Sequence, residues 1–353
     1  MWEYILPILL FIVGLLLLIK GGDWFVDGAT GIAKRFKLPE ILIGATVVSI
    51  GTTLPEVMVS AGAAIKGSGD IAYGNAIGSI ICNTALIAAI TIAIKPAKAD
   101  RKTIILPIIF FFGAAAFYVI NAYALNEFER WAGIILLCTF VAYMVLTVLK
   151  MLKDKKNEDP TLNKESEEET EEEPQEKLTP GKAFLAQVKG TRTSIAREII
   201  LLVLGAVAIA FGADFLVDNG IIIANWLGVP ESVITLTFVA LGTSLPELVT
   251  AITSLIKGHG SLSLGNIIGA NLFNLILVSG VAITISPFPI PEASQFFGYN
   301  ASLILDIPVM FTVMLLMTVP VLIKNKLSRW QGILLLLIYV AYATLQFTLV
   351  TNA

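Results

Sequence analysis

The sequence predicts an all-α, polytopic membrane protein with ten transmembrane helices arranged as two inverted repeats of five helices. Three observations lead to this fold class: a strongly apolar composition, ten apolar segments of membrane-spanning length, and an internal repeat at a constant offset of 191 residues.

The composition excludes an ordinary water-soluble protein. Of the 353 residues, 56% belong to the set AVILMFWYC and only 14% are charged, and the mean hydropathy is +0.83. A soluble domain carries roughly 25% charged residues, so this chain is expected to be integrated in a lipid bilayer. The sequence contains no basic patch rich in aromatic residues, and nucleic acid is therefore not expected as a partner.

Ten segments are long and apolar enough to cross a bilayer, which takes about 20 mostly apolar residues. They lie near 4–20, 40–66, 70–94, 103–122, 131–149, 198–217, 230–256, 261–285, 301–323 and 330–350. The first is interpreted as a transmembrane helix and not as a signal peptide, because Glu3 stands where a signal peptide carries positive charge.

The positions of the basic residues support this number of helices and indicate an orientation. With the N-terminus outside, all of the 24 Lys and Arg residues except Lys66 and Arg130 fall in cytoplasmic loops or at the adjoining helix ends. Cytoplasmic loops are enriched in Lys and Arg, and one helix more or fewer would destroy this alternation. We therefore expect a multi-pass protein of the cell membrane with both termini extracellular.

One long polar stretch separates two membrane halves, 1–152 and 197–353. The stretch 153–196 contains the acidic run 165–173 and is expected to be cytoplasmic and largely disordered, because it cannot bury enough apolar surface to offset chain entropy. It is either a solvated linker or a regulatory, calcium-sensing segment, although the spaced ligands of a calcium-binding loop are absent from its sequence.

The two halves repeat each other. Gly-Thr-Thr-Leu-Pro-Glu at 51–56 matches Gly-Thr-Ser-Leu-Pro-Glu at 242–247, and Gly-Asn-Ala-Ile-Gly at 74–78 matches Gly-Asn-Ile-Ile-Gly at 265–269. Since each half has five helices, an odd number, the second half must enter the membrane from the opposite side. Such inverted repeats are typical of secondary transporters that alternate access around a site at the membrane midplane.

Each half places one glutamate near the centre of a predicted transmembrane helix, Glu56 and Glu247. A carboxylate at this depth is costly unless it is compensated, and no Lys or Arg lies at a comparable depth in the predicted helices. A mobile cation is therefore the favoured partner, with a protonated, hydrogen-bonded pair as the alternative. Hydroxyl residues share the helix face with these glutamates at spacings of three and four: Thr52, Thr53, Thr243 and Ser244.

A proline precedes each of these glutamates. Pro55 and Pro246 remove the helical hydrogen bonds to the carbonyls of Gly51 and Gly242. We expect both helices to kink or unwind there, which would free backbone oxygens to line a cavity or bind an ion.

A polar stripe with a spacing of four follows in the next helix of each half. Its members are Asn75, Ser79 and Asn83 in the first half, and Asn266, Ala270 and Asn274 in the second. Helix–helix hydrogen bonding and cation coordination both explain such stripes; their repetition beside the two glutamates favours coordination.

The candidate ligands are all oxygens, which suit hard cations. The one histidine, His259, lies at a loop, and a zinc or copper site is not expected. Two carboxylates neutralise one Ca²⁺, and Na⁺ can use the hydroxyls and freed carbonyls of the same pocket. Other acidic residues have open roles: Asp306 is expected to be structural or to line a cavity, and the repeated helix-end residues Asp23, Asp27, Asp214 and Asp218 either cap helices or form a vestibule.

The paired motifs at 51–56 with 74–79 and at 242–247 with 265–271 resemble those of the cation/calcium antiporter superfamily, most closely its prokaryotic sodium/calcium exchangers. The resemblance implies ten helices in two inverted halves and a sliding motion of the two N-terminal helices of each half between access states. It implies that Glu56 and Glu247 bind Ca²⁺ together with Thr52 and Thr243. It also implies sodium ligands around the central Asn83, namely the carbonyls of Ser49 and Ala240 and the side chains of Thr53, Ser244 and Ser79.

Three departures from the usual motifs refine this expectation. Ala270 stands where the family usually has serine, which removes a hydroxyl from the second-half sodium site. Asn274 stands where many members, including potassium-dependent ones, have aspartate, which argues against potassium coupling. Gly78 and Gly269 replace a glutamate that proton/calcium exchangers usually carry, which makes proton coupling less favoured.

The sequence therefore predicts an antiporter that exchanges Na⁺ for Ca²⁺ by alternating access and normally extrudes Ca²⁺. An H⁺/Ca²⁺ or other divalent cation exchanger of the same fold is the first alternative, followed by a cation channel and a non-transporting membrane scaffold. We expect no enzymatic activity, no cofactor and no obligate protein partner; Ca²⁺ and Na⁺ are the expected substrates and the lipid bilayer the expected surroundings.

Overall fold

The computed structural model describes residues 2–36, 38–96, 101–157, 195–227, 242–292, 295–296 and 298–352. Most of the predicted acidic loop 153–196 and the first part of the predicted seventh segment, including Ala240, lie outside the described residues.

Helices make up nearly all of the described chain. Their bounds are α1 Trp2–Phe36, α2 Glu40–Ile65, α3 Gly69–Ile94, α4 Arg101–Leu125, α5 Arg130–Asn157, α6 Ile195–Trp226, α7 Leu245–Ile256, α8 Gly260–Ile285, α9 Ser302–Lys324 and α10 Arg329–Asn352. Eight of them are long and apolar enough to cross a membrane, and each of the ten predicted segments contains one helix. The prediction of an all-α, polytopic membrane fold is confirmed.

The described strands are four, of two residues each, in two small antiparallel pairs. β1 (Glu127–Phe128) pairs with β2 (Phe288–Pro289), and β3 (Gln295–Phe296) pairs with β4 (Tyr299–Asn300). The first pair joins the loop after α4 to the loop after α8, and both loops are predicted to be extracellular. It therefore connects the two halves of the chain at that end of the molecule.

The helices α1 and α6 are longer than predicted. The 35 residues of α1 span about 50 Å, well beyond the ~30 Å hydrocarbon core of a bilayer. Asp23 and Asp27 lie inside α1, and Asp214 and Asp218 lie inside α6, so their prediction as helix-end residues is wrong. The physical reason is that hydropathy marks only the part of a helix within lipid, whereas the helix itself continues past it.

These two long helices pack against each other in antiparallel orientation. A Cβ added at Gly14 of α1 would contact the α6 backbone at Gly212. A Cβ at Gly21 would contact it at Gly205, and a Cβ at Gly28 would contact it at Glu198. Small residues allow such close backbone approach in membranes. Many large apolar side chains of α1 and α6, such as Leu6, Leu16 and Phe211, are exposed, as expected for a lipid-facing pair.

The interior is built around α3 and α8. Every residue of α8 from Leu262 to Phe273 is buried, and α3 is buried along most of the matching stretch from Ala72 to Cys82. α2, α4, α5, α7, α9 and α10 surround these two helices. The polar stripes predicted on α3 and α8 therefore lie in the centre of the protein.

The bounds of the elements repeat at the offset found in the sequence. α3 and α8 begin at Gly69 and Gly260, and α2 and α7 end at Ile65 and Ile256. The turns after α2 and α7 contain glycines with positive φ, Gly67 at +74° and Gly258 at +84°. Residues other than glycine rarely adopt this backbone conformation. Each pair is separated by 191 residues, so the two halves share their local structure as well as their motifs.

Candidate ion-binding site

Four helices supply the candidate site: α2 and α3 from the first half, and α7 and α8 from the second. α2 and α8 approach so closely that a Cβ at Gly265 would overlap the carbonyl of Ile41, and a Cβ at Gly269 would overlap the hydroxyl of Ser49. Only glycine permits this backbone contact. The contact brings the Gly-Thr-Thr-Leu-Pro-Glu segment of α2 against the polar stripe of α8.

The two predicted glutamates lie in the centre of this arrangement. Glu56 and Glu247 are both 0% exposed, and none of their four carboxylate oxygens has a hydrogen-bond partner. The two carboxylates are close enough to repel each other electrostatically. Within the described residues, neither glutamate forms an ion pair with Lys, Arg or His.

Such an arrangement is unfavourable without a compensating ion. A buried charge without a partner costs several kcal/mol or more, and two like charges side by side raise this cost further. The site therefore has the electrostatic properties of a binding site for a cation with charge up to two, with ligands contributed by both halves of the chain.

Further buried oxygen and nitrogen atoms without partners accompany the carboxylates. Among the predicted ligands they are the hydroxyl oxygens of Thr53 and Ser244 and both amide atoms of Asn83 and Asn274. Buried polar groups nearly always have a hydrogen-bond partner. A concentration of unsatisfied oxygens around two carboxylates is typical of a cavity that coordinates hard cations.

The remaining predicted ligands differ in their surroundings. Ser49 and Ser79 are buried at 0% and 4% exposure, whereas Thr243 is only half-buried, in the turn before α7. The Ser49 hydroxyl lies 2.7 Å from the Gly44 carbonyl and 2.9 Å from the Asn266 carbonyl, either of which accepts its proton. Ala240 lies outside the described residues.

The two proline motifs differ in conformation. The sequence predicts that each helix kinks or unwinds at its proline; α2 stays helical through Gly51 and Pro55, so of these two outcomes unwinding is wrong for the first half. In the second half Gly242 is still helical, a turn follows at Thr243 and Ser244, and α7 starts at Leu245. Pro246 then stands in the first turn of α7, where a helix tolerates proline because the first amides have no helical acceptor.

Distortions that the sequence did not predict occur as π-helical turns. Of the five in the described residues, one lies at Gly44–Val48 of α2, ahead of the proline motif, and two begin at the site asparagines, at Asn83–Ala88 of α3 and Asn274–Val278 of α8. The other two lie at the end of α4 and the start of α9, at Asn121–Leu125 and Ser302–Asp306. A π turn shifts hydrogen bonds from four to five residues and is frequent at functional sites. The two that begin at Asn83 and Asn274 are repeat-related, and each contacts the helix that carries the glutamate of the other half.

The stripe asparagines Asn75 and Asn266 have different roles in the structure. Asn75 is half-buried and its amide nitrogen donates to Ser60 Oγ at 2.8 Å and to the Glu56 carbonyl at 3.1 Å. Asn266 is 0% exposed, and its Oδ1 accepts from the Thr52 hydroxyl at 3.2 Å. Asn266 was predicted as a member of the polar stripe of α8 but was not named as an individual ligand.

Three other acidic residues that the sequence singled out, Asp306, Asp23 and Asp27, form contacts elsewhere in the protein. Asp306 accepts hydrogen bonds from Tyr342 at 3.0 Å and Gln346 at 2.5 Å, which joins α9 to α10 and supports a structural role. Asp27 and Asp23 pair with Lys257 at 2.8 and 3.3 Å, which joins α1 to the end of α7.

Two further contacts of charged residues involve the end of α1 and the start of α2. Arg35 binds Glu198 at the start of α6 through two bonds of 2.8 and 3.0 Å. His259 Nδ1 lies 2.8 Å from Glu40 Oε1. The described cationic side chains that pair with acids therefore do so near helix ends and not at the depth of Glu56 and Glu247.

Comparisons with known proteins give a consistent result. The sodium/calcium exchanger protein family matches residues 6–149 and 197–348. The chain is 31% identical to sodium/calcium exchanger MaX1 of Methanosarcina acetivorans, over 96% of this chain and 98% of that protein. It is 33% identical to inner membrane protein YrbG of Escherichia coli, over 84% of this chain and 86% of that protein.

Solved structures show the same likeness. A structure of the sodium-calcium exchanger NCX_Mj soaked with 2.5 mM Na⁺ and 10 mM Sr²⁺ superimposes with a TM-score of 0.73 and 32% sequence identity, covering 96% of this chain and 97% of that one. NCX_Mj soaked without Na⁺ and Ca²⁺ gives the same TM-score of 0.73 at 31% identity.

Proposed function

Because the chain belongs to the sodium/calcium exchanger family and is a multi-span membrane transporter, not an enzyme, we propose that it exchanges Na⁺ for Ca²⁺. In this proposal it is a secondary active antiporter of the cell membrane that normally extrudes Ca²⁺ from the cytoplasm. It requires no cofactor, since the Na⁺ gradient supplies the free energy.

The observation that carries this proposal is the pair of fully buried, unpaired carboxylates Glu56 and Glu247, surrounded by oxygens without partners. Ca²⁺ between the two carboxylates is neutralised completely, and its irregular coordination of six to eight oxygens suits side chains drawn from four helices. The proposed Ca²⁺ ligands are Glu56, Glu247, Thr52 and Thr243.

Na⁺ is proposed to use the same pocket. The proposed ligands are the carbonyls of Ser49 and Ala240, the hydroxyls of Thr53, Ser244 and Ser79, and the carboxylates themselves, with Asn83 and Asn274 lining the centre. Na⁺ and Ca²⁺ then compete for shared carboxylates, so that one must leave before the other binds. This competition couples the two ion movements without any further device.

Alternating access is proposed to involve α1 and α6. The two helices contact each other over most of their length and expose large apolar side chains on their outer faces. A pair that is tightly packed within itself and borders lipid can move against the rest as one body. In the proposed orientation both termini are extracellular, the loop 153–196 is cytoplasmic, and the halves 1–152 and 197–353 have opposite topology.

The test is radioactive Ca²⁺ uptake by proteoliposomes loaded with Na⁺. Uptake should require an outward Na⁺ gradient and should stop when a Na⁺ ionophore dissipates it. E56Q and E247Q should each abolish uptake, because a neutral amide cannot balance a divalent cation. D70N removes a carboxylate from the exposed first turn of α3 and serves as the matched control with normal uptake.

The same assay separates the alternatives. Uptake that follows a pH gradient and ignores Na⁺ would indicate H⁺/Ca²⁺ exchange. Uptake down the Ca²⁺ gradient alone would indicate a channel. Full exchange in both E56Q and E247Q would refute the assignment of the site.

A further inference from the structure

Lys257, at the end of α7, joins this helix to α1 through two carboxylates. Its Nζ lies 2.8 Å from Asp27 Oδ1 and 3.3 Å from Asp23 Oδ1, and it donates to the Asp23 carbonyl at 2.9 Å. In the proposed orientation these groups lie toward the cytoplasmic side of the membrane. We call Lys257, Asp23 and Asp27 the α1–α7 triad.

The helix surfaces next to this triad are in contact as well. A Cβ added at Gly22 of α1 would lie 2.8 Å from both Val249 Cγ1 and Thr253 Oγ1 of α7. Val249, Thr253 and Lys257 follow one another at a spacing of four residues and therefore share one face of α7. α1 covers this face of α7, and the triad lies at the end of the covered face.

The repeat contains a second set of the same residue types. Lys66 lies 191 residues before Lys257, and Asp214 and Asp218 lie 191 residues after the two acids of the α1–α7 triad. We call Lys66, Asp214 and Asp218 the α2–α6 triad. If the halves are inverted, it lies toward the extracellular side, where Lys66 ends α2 and the two acids belong to α6.

The α2–α6 triad is not assembled in the described structure. Lys66, Asp214 and Asp218 are all exposed, and none of them forms an ion pair with another described residue. Asp214 and Asp218 are four residues apart on one face of α6, so their charges repel each other. A nearby cation would relieve this repulsion, and Lys66 is the residue that the repeat assigns to it.

The face of α2 that corresponds to the covered face of α7 is open. Met58 and Gly62 lie 191 residues before Val249 and Thr253. Met58 is 74% exposed, and a Cβ at Gly62 would meet nothing within 4 Å. α1 thus covers α7 at one end of the molecule, whereas the described residues leave α2 uncovered at the other end.

We propose that the two triads form in alternation: the α1–α7 triad closes the cytoplasmic side in the described state, and the α2–α6 triad closes the extracellular side in the opposite access state. In that opposite state Lys66 pairs with Asp214 and Asp218, and α6 covers the open face of α2. The inference rests on the proposed function, because it requires inverted halves and alternating access.

The contact between α1 and α6 couples the two triads. Gly14, Gly21 and Gly28 place α1 against α6 over most of their length, so the two helices can move together against the rest of the protein. One movement separates Lys257 from α1 and brings α6 onto α2. Partly exposed ion pairs are weak, and one triad replaces the other, so the two states differ little in free energy and bound ions can decide between them.

Cross-linking during exchange tests the inference. The variants K66C/D218C and K257C/D27C, in the C138S background, are treated in proteoliposomes with a short bifunctional methanethiosulfonate during Na⁺-driven Ca²⁺ uptake. This reagent is used because a lysine–aspartate pair is wider than a disulfide allows. Both variants should cross-link, cross-linking should stop uptake, and dithiothreitol should restore it. The swapped pairs K66C/D27C and K257C/D218C lie at opposite ends and should not cross-link.

The role of the charges is tested by inversion. K66D places three like charges together in the opposite state, so it should slow Na⁺-driven uptake by about twofold to fivefold, the scale of a partly exposed pair. K66D/D218K restores opposite charges and should bring the rate back to within about twofold of wild type. E127K inverts an exposed acid elsewhere, so K66D/E127K has the same net charge and should stay slow.

The inference and the proposed function fail in different ways. If uptake depends on Na⁺ but neither K66C/D218C nor K66C/D214C cross-links, the alternation is wrong and the function stands. Cross-linking of the swapped pairs, or equal recovery in K66D/E127K and K66D/D218K, would overturn the alternation as well. If wild type shows no Na⁺-driven uptake, the function fails, and the inference is decided by whether both triads cross-link in purified protein in detergent.

Discussion

At the scale of single residues, Ala270 is the position where this site departs most clearly from its own repeat. Its counterpart in the first half is Ser79, a proposed Na⁺ ligand, whereas Ala270 is completely buried on the same face of α8 as Asn266 and Asn274. The second half therefore offers one hydroxyl fewer to a cation. The two halves of the site should contribute unequally to Na⁺ binding.

A270S should restore that hydroxyl and strengthen Na⁺ binding. We expect the Na⁺ concentration for half-maximal Ca²⁺ efflux to fall by about threefold, the effect of one added oxygen ligand on the scale of a hydrogen bond. S79A should shift the same concentration upward. A270V adds volume without an oxygen and is the matched control; if A270V strengthened Na⁺ binding as A270S does, the hydroxyl would not be the cause.

Several of these residues could be identified from the sequence because their chemistry is incompatible with lipid. A glutamate at membrane depth without a basic neighbour is costly, so Glu56 and Glu247 point to an ion whatever the tertiary structure is. Asn266 could not be assigned in this way. Its contact with Thr52 depends on the close approach of α2 and α8, which is a tertiary fact.

At the scale of helices, the α1–α6 contact depends on glycine. A Cβ at Gly205 would lie 2.5 Å from the Phe25 amide nitrogen and 2.8 Å from the Gly21 carbonyl. G205A should therefore force these helices apart and destabilise the protein by about 1 to 3 kcal/mol, the usual cost of overpacking. The measurement is thermal unfolding of purified protein in detergent.

Gly62 of α2 provides the matched control for this prediction. A Cβ there would meet nothing within 4 Å, so G62A should be neutral or stabilise the helix by up to about 1 kcal/mol. Equal melting temperatures for G205A and wild type would show that α1 and α6 lie farther apart at Gly205 than the 2.5 Å distance to the Phe25 amide nitrogen indicates.

A second prediction concerns the ion pairs between α1 and α7. Lys257 binds Asp27 and Asp23, and its Nζ also donates to the Asp23 carbonyl at 2.9 Å. K257Q removes the charge but leaves a polar side chain, so the second half of α1 should open more often. Amide hydrogen exchange in that segment should accelerate by about twofold to fivefold, since partly exposed pairs contribute only ~0–1 kcal/mol.

Lys66 is the repeat-related control for Lys257. It lies 191 residues earlier at the end of α2, and within the described residues it forms no ion pair. K66Q should therefore leave amide exchange in α1 and α6 unchanged. Acceleration of the same size in K66Q would attribute the effect to net charge and not to the pairs with Asp23 and Asp27.

The helices themselves could be predicted from the sequence, but their ends and irregularities could not. A long apolar run indicates a span, and each of the ten predicted segments contains a described helix, eight of which are long and apolar enough to cross a membrane. The ends of α1 and α6 were missed because Asp23 and Asp214 look like helix ends in a hydropathy profile. The π turns at Asn83 and Asn274 were missed because no residue type encodes them.

At the scale of the whole molecule, the resemblance to sodium/calcium exchangers stated from the motifs is confirmed by the family match and by the relatives. The family match skips residues 150–196, which include the whole acidic stretch 153–196. Shared motifs and shared element bounds make the halves similar, yet three repeat-related pairs differ in their contacts or residue type. The pairs are Asn75 with Asn266, Lys66 with Lys257, and Ser79 with Ala270. A duplicated fold thus supports one asymmetric site.

The inversion of the two halves makes a prediction that repeat-related positions can test directly. Asp70 and Ser261 are 191 residues apart, and both are exposed in the first turns of α3 and α8. If the halves are inverted, D70C reacts in intact cells with a membrane-impermeant thiol reagent, whereas S261C reacts only after permeabilisation. The background is C138S, because Cys138 is exposed and Cys82 is buried. Labelling of both positions from the same side would mean that the halves have parallel topology, and the proposed alternating access between inverted halves would then be wrong.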